Sequence, residues 1–176
     1  MTDGCNGNVR TIERRAFLLK CGRRLGCLAL VALLGCGALR GYGGWRKQHL
    51  AKQTAAFVAK GDFKSAVLVA RRLLDLDPAN LAACRAMAEI AEKTRSAEAI
   101  NWRRKIVYGE PTSANQLALA RCALAFGQRE LSEAVLHAMP ESARDSVDYH
   151  QIAGAEALAR KDMATAEKHF AAATAL

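Results

Sequence analysis

Few residues of this chain stand at spacings that support chemistry. His49, His137, His150 and His169 are scattered along it, and none is read as having a metal-ligating partner one helical turn away. Cys84 and Cys122 lie far apart with no C-x-x-C, which suits small buried packing residues better than a disulfide or a ligand pair. Glu89 and Glu92 share a helix face, an arrangement common on solvated helices. Gly41-Tyr42-Gly43-Gly44 follows no strand, so it reads as a flexible linker and not as a phosphate cradle. No Ser or Cys sits in a nucleophile-elbow pattern. The expectation is a protein with no catalytic residues, no cofactor, no metal and no small-molecule substrate, and so not an enzyme.

Charge narrows the partners. The net charge of +9 is concentrated at the N-terminus: residues 1–47 hold nine Lys or Arg against two acids, and the remaining residues hold 17 against 15. A nucleic-acid face needs clustered cations over the folded body, so nucleic acid is not expected as a partner. The basic excess flanks the uncharged run LGCLALVALLGCGAL, residues 25–39. As a helix that run spans about 22 Å, short of a hydrocarbon core of roughly 30 Å; extended to Trp45 it reaches about 31 Å, with Arg40 turned toward a headgroup. The segments expected are a basic tail over 1–24, a transmembrane or signal segment over 25–45, and a folded body over 47–176. Basic residues are denser before the apolar run, which predicts a cytoplasmic N-terminus and a body outside the cytoplasm on a bacterial cell membrane. Two other readings stay open. Arg14-Arg15-Ala16-Phe17-Leu18-Leu19-Lys20 resembles a twin-arginine export signal. Leu33-Leu34-Gly35-Cys36 resembles a lipobox, in which Cys36 would be lipidated.

The body repeats. In GDFKSAVLVARRLLDLDPAN, residues 61–80, Gly61 and Asp62 predict a tight turn and an N-cap. Phe63, Ala66, Val67, Ala70, Leu73 and Leu74 then recur at three- and four-residue spacing, as in an amphipathic helix, until Pro78 stops it. Similar layouts follow Ser96, Gly127 and Lys161. The alanines that open these second helices, Ala66, Ala99, Ala134 and Ala166, are spaced by 33, 35 and 32 residues. The first and fourth units are regular. The second has Thr94-Arg95-Ser96 at its turn and no Gly, and the third is expected to carry a longer turn and a short second helix ended by Pro140.

On those residues the chain resembles the tetratricopeptide repeat (TPR) family over residues 47–176. The turn Gly61, the aromatic two places on, Ala66 and the Leu-Asp-Pro close carry the likeness in the first unit. Tyr149, Gly154, Ala157, Met163, Ala166, Phe170 and Ala173 carry it in the fourth, where Lys161 replaces the turn Gly. The resemblance implies an all-α fold: a right-handed superhelical solenoid of about four antiparallel helix pairs, here preceded by a hydrophobic N-terminal helix. It implies a protein-binding scaffold whose first helices line a concave groove for a peptide or partner protein. The groove-facing residues it implies are Gln48, Arg85, Glu89, Glu92, Arg121, Asp148 and Gln151. Their mixed charge lacks a dense Lys/Arg set, which argues against an acidic peptide as ligand. With the N-terminal segment, the expectation is a membrane-tethered interaction scaffold of the cell envelope. The alternatives are the regulatory, substrate-recruiting front end of a longer enzyme, motivated by the abrupt stop at Leu176, and a soluble adaptor.

Overall fold

The computed structural model describes residues 43–176. The expected tail, most of the hydrophobic segment and Cys36 lie outside the described residues. Among the described residues no helix is long and apolar enough to cross a membrane. The chain divides into two compact units, Met1–Arg46 and Lys47–Leu176, and the second carries the repeats.

Among the described residues every regular element is a helix. Helix α1 covers residues 43–59, so Gly43 and Gly44 are helical and not the linker expected of them. It is followed by α2 (Phe63–Leu76), α3 (Leu81–Lys93), α4 (Glu98–Gly109), α5 (Ser113–Ala125), α6 (Arg129–Ala138), a single turn α7 (Glu141–Arg144), α8 (Val147–Ala159) and α9 (Met163–Ala175). Short polar residues start most of them. The side chains of Asp62, Asn80, Thr112, Ser146 and Asp162 each accept a hydrogen bond from the backbone N–H three residues on, at 3.1–3.3 Å.

Four pairs result: α1 with α2, α3 with α4, α5 with α6, and α8 with α9. Each is joined by one left-handed residue, Gly61 (φ 74), Arg95 (φ 55), Gly127 (φ 74) and Lys161 (φ 65). The next backbone N–H then donates five residues back: Asp62 to Phe57, Ser96 to Ala91, Gln128 to Ala123 and Asp162 to Ala157, at 2.8–3.0 Å. That bond is the Schellman closure, which satisfies an orphan carbonyl at the helix end. The four left-handed residues are 34, 32 and 34 positions apart, a more even period than the alanines gave.

This register corrects the third unit. Its turn is no longer than the others, since α6 begins two residues after Gly127, as α2 does after Gly61. Five residues after each left-handed residue stand Ala66, Ile100, Ser132 and Ala166, all buried. Ala134, taken from sequence as the packing alanine, is exposed. The turn sets where a helix meets its neighbour, so counting from the turn finds a buried position in all four units, whereas the alanines mark one in three units and miss it in the third. The extra chain of this unit lies after its short helix α6 of 10 residues, where Met139–Ser146 carries α7.

The core is built from small residues at the crossings and larger ones between them. Ala66, Ala70 and Leu73 of α2 and Ala83, Cys84 and Ala88 of α3 are fully or almost fully buried. Between α5, α6 and α8, Leu117, Ala120, Leu136, Met139, Ile152 and Ala153 form one cluster. The stacked pairs bring α1 and α3 to one shared cavity, and the end of α3, α4 and α5 to another.

Candidate functional site

Two cavities lie along the face of the first helices. The first, of about 410 Å³, runs between α1 and α3. Its floor is small and apolar, with Ala51, Ala55, Val58, Ala82 and Ala86, and Arg85 and Glu89 stand at its edge. Arg85 is paired with Glu110 at the end of α4, and Glu89 accepts from Lys93 at 2.7 Å. Both pairs are exposed enough for water to screen them, so either partner can exchange toward a ligand at little cost.

The second cavity, of about 230 Å³, lies where the end of α3 meets α4 and α5, and its wall includes Glu92, Arg95, Arg103, Arg121, Cys122 and Phe126. Arg103 donates to both oxygens of Glu92 at 2.7 and 2.9 Å. That bidentate pair holds the Arg103 guanidinium even more firmly protonated than usual. Arg121 donates to Asp148 at 3.0 Å, across from α5 to α8. The Arg95 guanidinium has no partner among the described residues. Three cations therefore surround the cavity with one carboxylate on its wall. The Cys122 thiol is pushed up to about 11, first by burial and then by the Glu92 charge and hydrogen bond, so it stays a thiol at neutral pH.

Of the residues expected to face a groove, Arg85 and Glu89 line the first cavity, and Glu92 and Arg121 the second. Asp148 is brought to the second through Arg121. Gln48 and Gln151 are exposed, and neither lines these cavities. Arg95, Arg103 and Phe126 also line the second cavity, though none was among the residues expected to face a groove. The signal for Arg95 was present: it occupies the turn position where the first and third units have Gly. A second omission concerns the histidines. The Nδ1 atoms of His150 and His169 meet at 3.0 Å across α8 and α9, and His137 stands 3.8 Å from Glu133, one turn earlier. Pairing of α8 with α9 juxtaposes residues 19 apart, which helical spacing alone does not reveal. Even so, among the described residues no group of three or more His, Cys, Asp or Glu is placed to hold a metal ion.

No protein-family model matches the chain, and no curated protein matches it. Solved structures do. The MamA 41-end chain from Desulfovibrio magneticus RS-1 superposes with a TM-score of 0.65 at 21% identity, covering 74% of this chain and 75% of that one. A MamA RS-1 double mutant gives 0.63 at 21% identity over 73% of each chain. The MamA MSR-1 C2 structure gives 0.58 at 13% identity over 69% of this chain and 71% of that one. The fold is TPR-like. At such identities the likeness carries the arrangement of helix pairs and not a ligand, and the reading of the groove rests on its own geometry.

Proposed function

We propose that the chain is a protein-interaction module whose first-helix groove takes an acidic segment of a partner protein. The observation that carries this is the second cavity, where Arg95, Arg103 and Arg121 surround a space whose wall holds one carboxylate. A partner carboxylate entering there would gain charge-assisted hydrogen bonds from Arg95 without breaking an existing pair. The neighbouring alanine-floored cavity would take an apolar side chain of the same segment, since small residues leave room above them. The sequence alone argued against an acidic ligand because its arginines are dispersed. The fold brings Arg95, Arg103 and Arg121 together from three helices or their ends.

The module is proposed to work tethered to a bacterial cell membrane by the apolar run 25–39, flanked by Arg23, Arg24 and Arg40. Alkali extraction of membranes from expressing cells checks the tether, and release of the chain into the supernatant would remove it.

The groove is tested with a fluorescein-labelled hexaglutamate peptide against hexalysine and hexaserine, read by anisotropy. Saturable binding of the glutamate peptide alone is expected. It should weaken about 10-fold in Arg95→Ala and again in Arg121→Ala, and fall steeply with salt. Equal binding of the serine peptide, or an unchanged affinity in Arg95→Ala, would remove the proposal.

A further inference from the structure

Counting five residues back from each left-handed turn residue gives Ala56, Ile90, Cys122 and Glu156. Three units fill that place with an apolar side chain or a thiol, and the fourth with a carboxylate. Ala56 is exposed, but Ile90 and Cys122 are buried, and so is Glu156, at 3% exposure. Its Oε2 is ion-paired with Arg160 Nη2 at 2.7 Å, and its Oε1 is buried with no hydrogen-bond partner among the described residues. Buried carboxylate oxygens are normally served by donors, so this one marks a place where a donor is missing.

The surroundings say what kind. Arg160 donates through Nη1 to Glu133 Oε1 at 2.9 Å, so two carboxylates share a single guanidinium. Arg129, on the same stretch of α6, spends its guanidinium on the Ala159 carbonyl at 2.9 Å. Burial, and then the neighbouring His150, lower the His169 pKa and disfavour its charged form. Arg160 is thus the one guanidinium paired with both carboxylates, with the exposed His137 ring 3.8 Å from Glu133. Glu133 and Glu156 both line a cavity of about 140 Å³ between α6, α8 and α9, whose walls also include Leu136, His137, Tyr149, Ala153, Arg160 and His169. None of these residues lines the two groove cavities. The donors here are not placed to hold a bare metal ion, whereas a polyatomic cation can bond to the oxygens separately while its carbon stem lies against Leu136, Ala153 and the Tyr149 ring.

We propose that this cavity is a second binding site, for the ammonium or guanidinium head of a lysine or arginine side chain presented by a partner protein. The head donates to Glu156 Oε1 and to the second oxygen of Glu133, completing an alternation of two carboxylates with two cations. The site does not depend on the groove's being a binding surface.

The test is titration of the ¹⁵N-labelled full chain with N-acetyl-arginine amide and N-acetyl-lysine amide, with N-acetyl-norleucine amide as the uncharged control of similar stem. The expected result is saturable amide shifts confined to α6, α8 and α9, with dissociation constants of about 1–10 mM for so small a probe. The control should give none. Glu156→Gln, nearly the same shape, should keep the melting temperature or raise it and weaken the cationic probes about 10-fold. Glu133→Gln, at the more exposed edge, should weaken them less. Absence of saturable shifts would mean that water alone serves Glu156 and would overturn the proposal. Equal shifts with the norleucine probe, or unchanged affinity in Glu156→Gln, would overturn it too.

Discussion

Gly154 offers a sharp test of how the last helix pair is held. It lies buried in the middle of α8, where a glycine is ordinarily a weakness: replacing one by alanine inside a helix gains about 0.5–1 kcal/mol. Here a Cβ would stand 2.9 Å from Cε1 and Cζ of Phe170 and 3.1 Å from its Cδ1. Those are rigid ring atoms of α9, closer than real Cβ contacts come, so the ring or the whole helix must shift, at a cost of about 1–3 kcal/mol for overpacking. Phe170 is 37% exposed and has some room to move, which favours the lower part of that range. Gly154→Ala should therefore lower stability by up to about 2 kcal/mol, despite its better helix propensity. The decisive comparison is the same substitution in a Phe170→Ala background. With the ring removed only the propensity gain remains, and the effect should change sign to about 0.5–1 kcal/mol of stabilisation. Urea unfolding followed by circular dichroism on the four members of the cycle gives the coupling directly. If Gly154→Ala stabilises both backgrounds equally, close approach of α8 and α9 is not what requires glycine there.

Other outcomes depend on particular side chains. Leu73→Ala, at a fully buried position of α2, should cost about 2–5 kcal/mol, read as a large loss in denaturant midpoint. Arg95→Gly relieves a left-handed residue with a side chain and should stabilise by about 1 kcal/mol while weakening the acidic peptide; Lys161→Gly should stabilise similarly and leave that peptide's affinity alone. Burial raises the Glu156 carboxyl above its ordinary 4.5, so the folded chain holds that proton more tightly than the unfolded one. Its contribution to stability is complete below the unfolded value and is lost as pH rises through the folded one; melting temperatures across that range should show the decline in the wild type and not in Glu156→Gln. The capping carboxylates Asp62 and Asp162 behave oppositely, held low by the hydrogen bonds from Ser65 and Thr165. Their contribution is present above about 3.8 and lost as pH falls through the lowered values, so Asp162→Ala should melt earlier at neutral pH and differ little from wild type in strong acid.

The fold was legible because its determinants are local. Gly61-Asp62 states a left-handed turn and a cap in two letters, and the apolar residues after it state which face turns inward. Legibility failed where one residue type did two jobs. Alanine is both a packing residue and a good filler of exposed helix, so Ala134 passed for an inward position that Ser132 holds. The turn residue has no such ambiguity of geometry, yet it is hidden by its identity: Arg95 and Lys161 adopt the conformation that glycine announces elsewhere. At Arg95 that departure from glycine coincides with a cation left without a partner beside the groove, and strain kept at such a place is a reason to look for function there.

The two cavities with charged walls were illegible for a different reason. Arg95, Arg103 and Arg121 belong to a turn, a second helix and the next first helix, and Glu133, Glu156 and His169 to three helices; no window of sequence contains either set. Each set nevertheless includes a residue that is odd for its register. A left-handed turn has an arginine where two of the units have glycine, and a buried position has a glutamate where the two middle units bury Ile90 and Cys122. Once the register is fixed from the turns, comparing units within the one chain does the work that comparing homologues usually does. It separates Cys122, which conforms in burial and stays an inert thiol, from Glu156, which conforms in burial but not in chemistry. A carboxylate placed where packing asks only for volume costs stability, and the cavity that Glu156 helps to line is where that cost would be recovered.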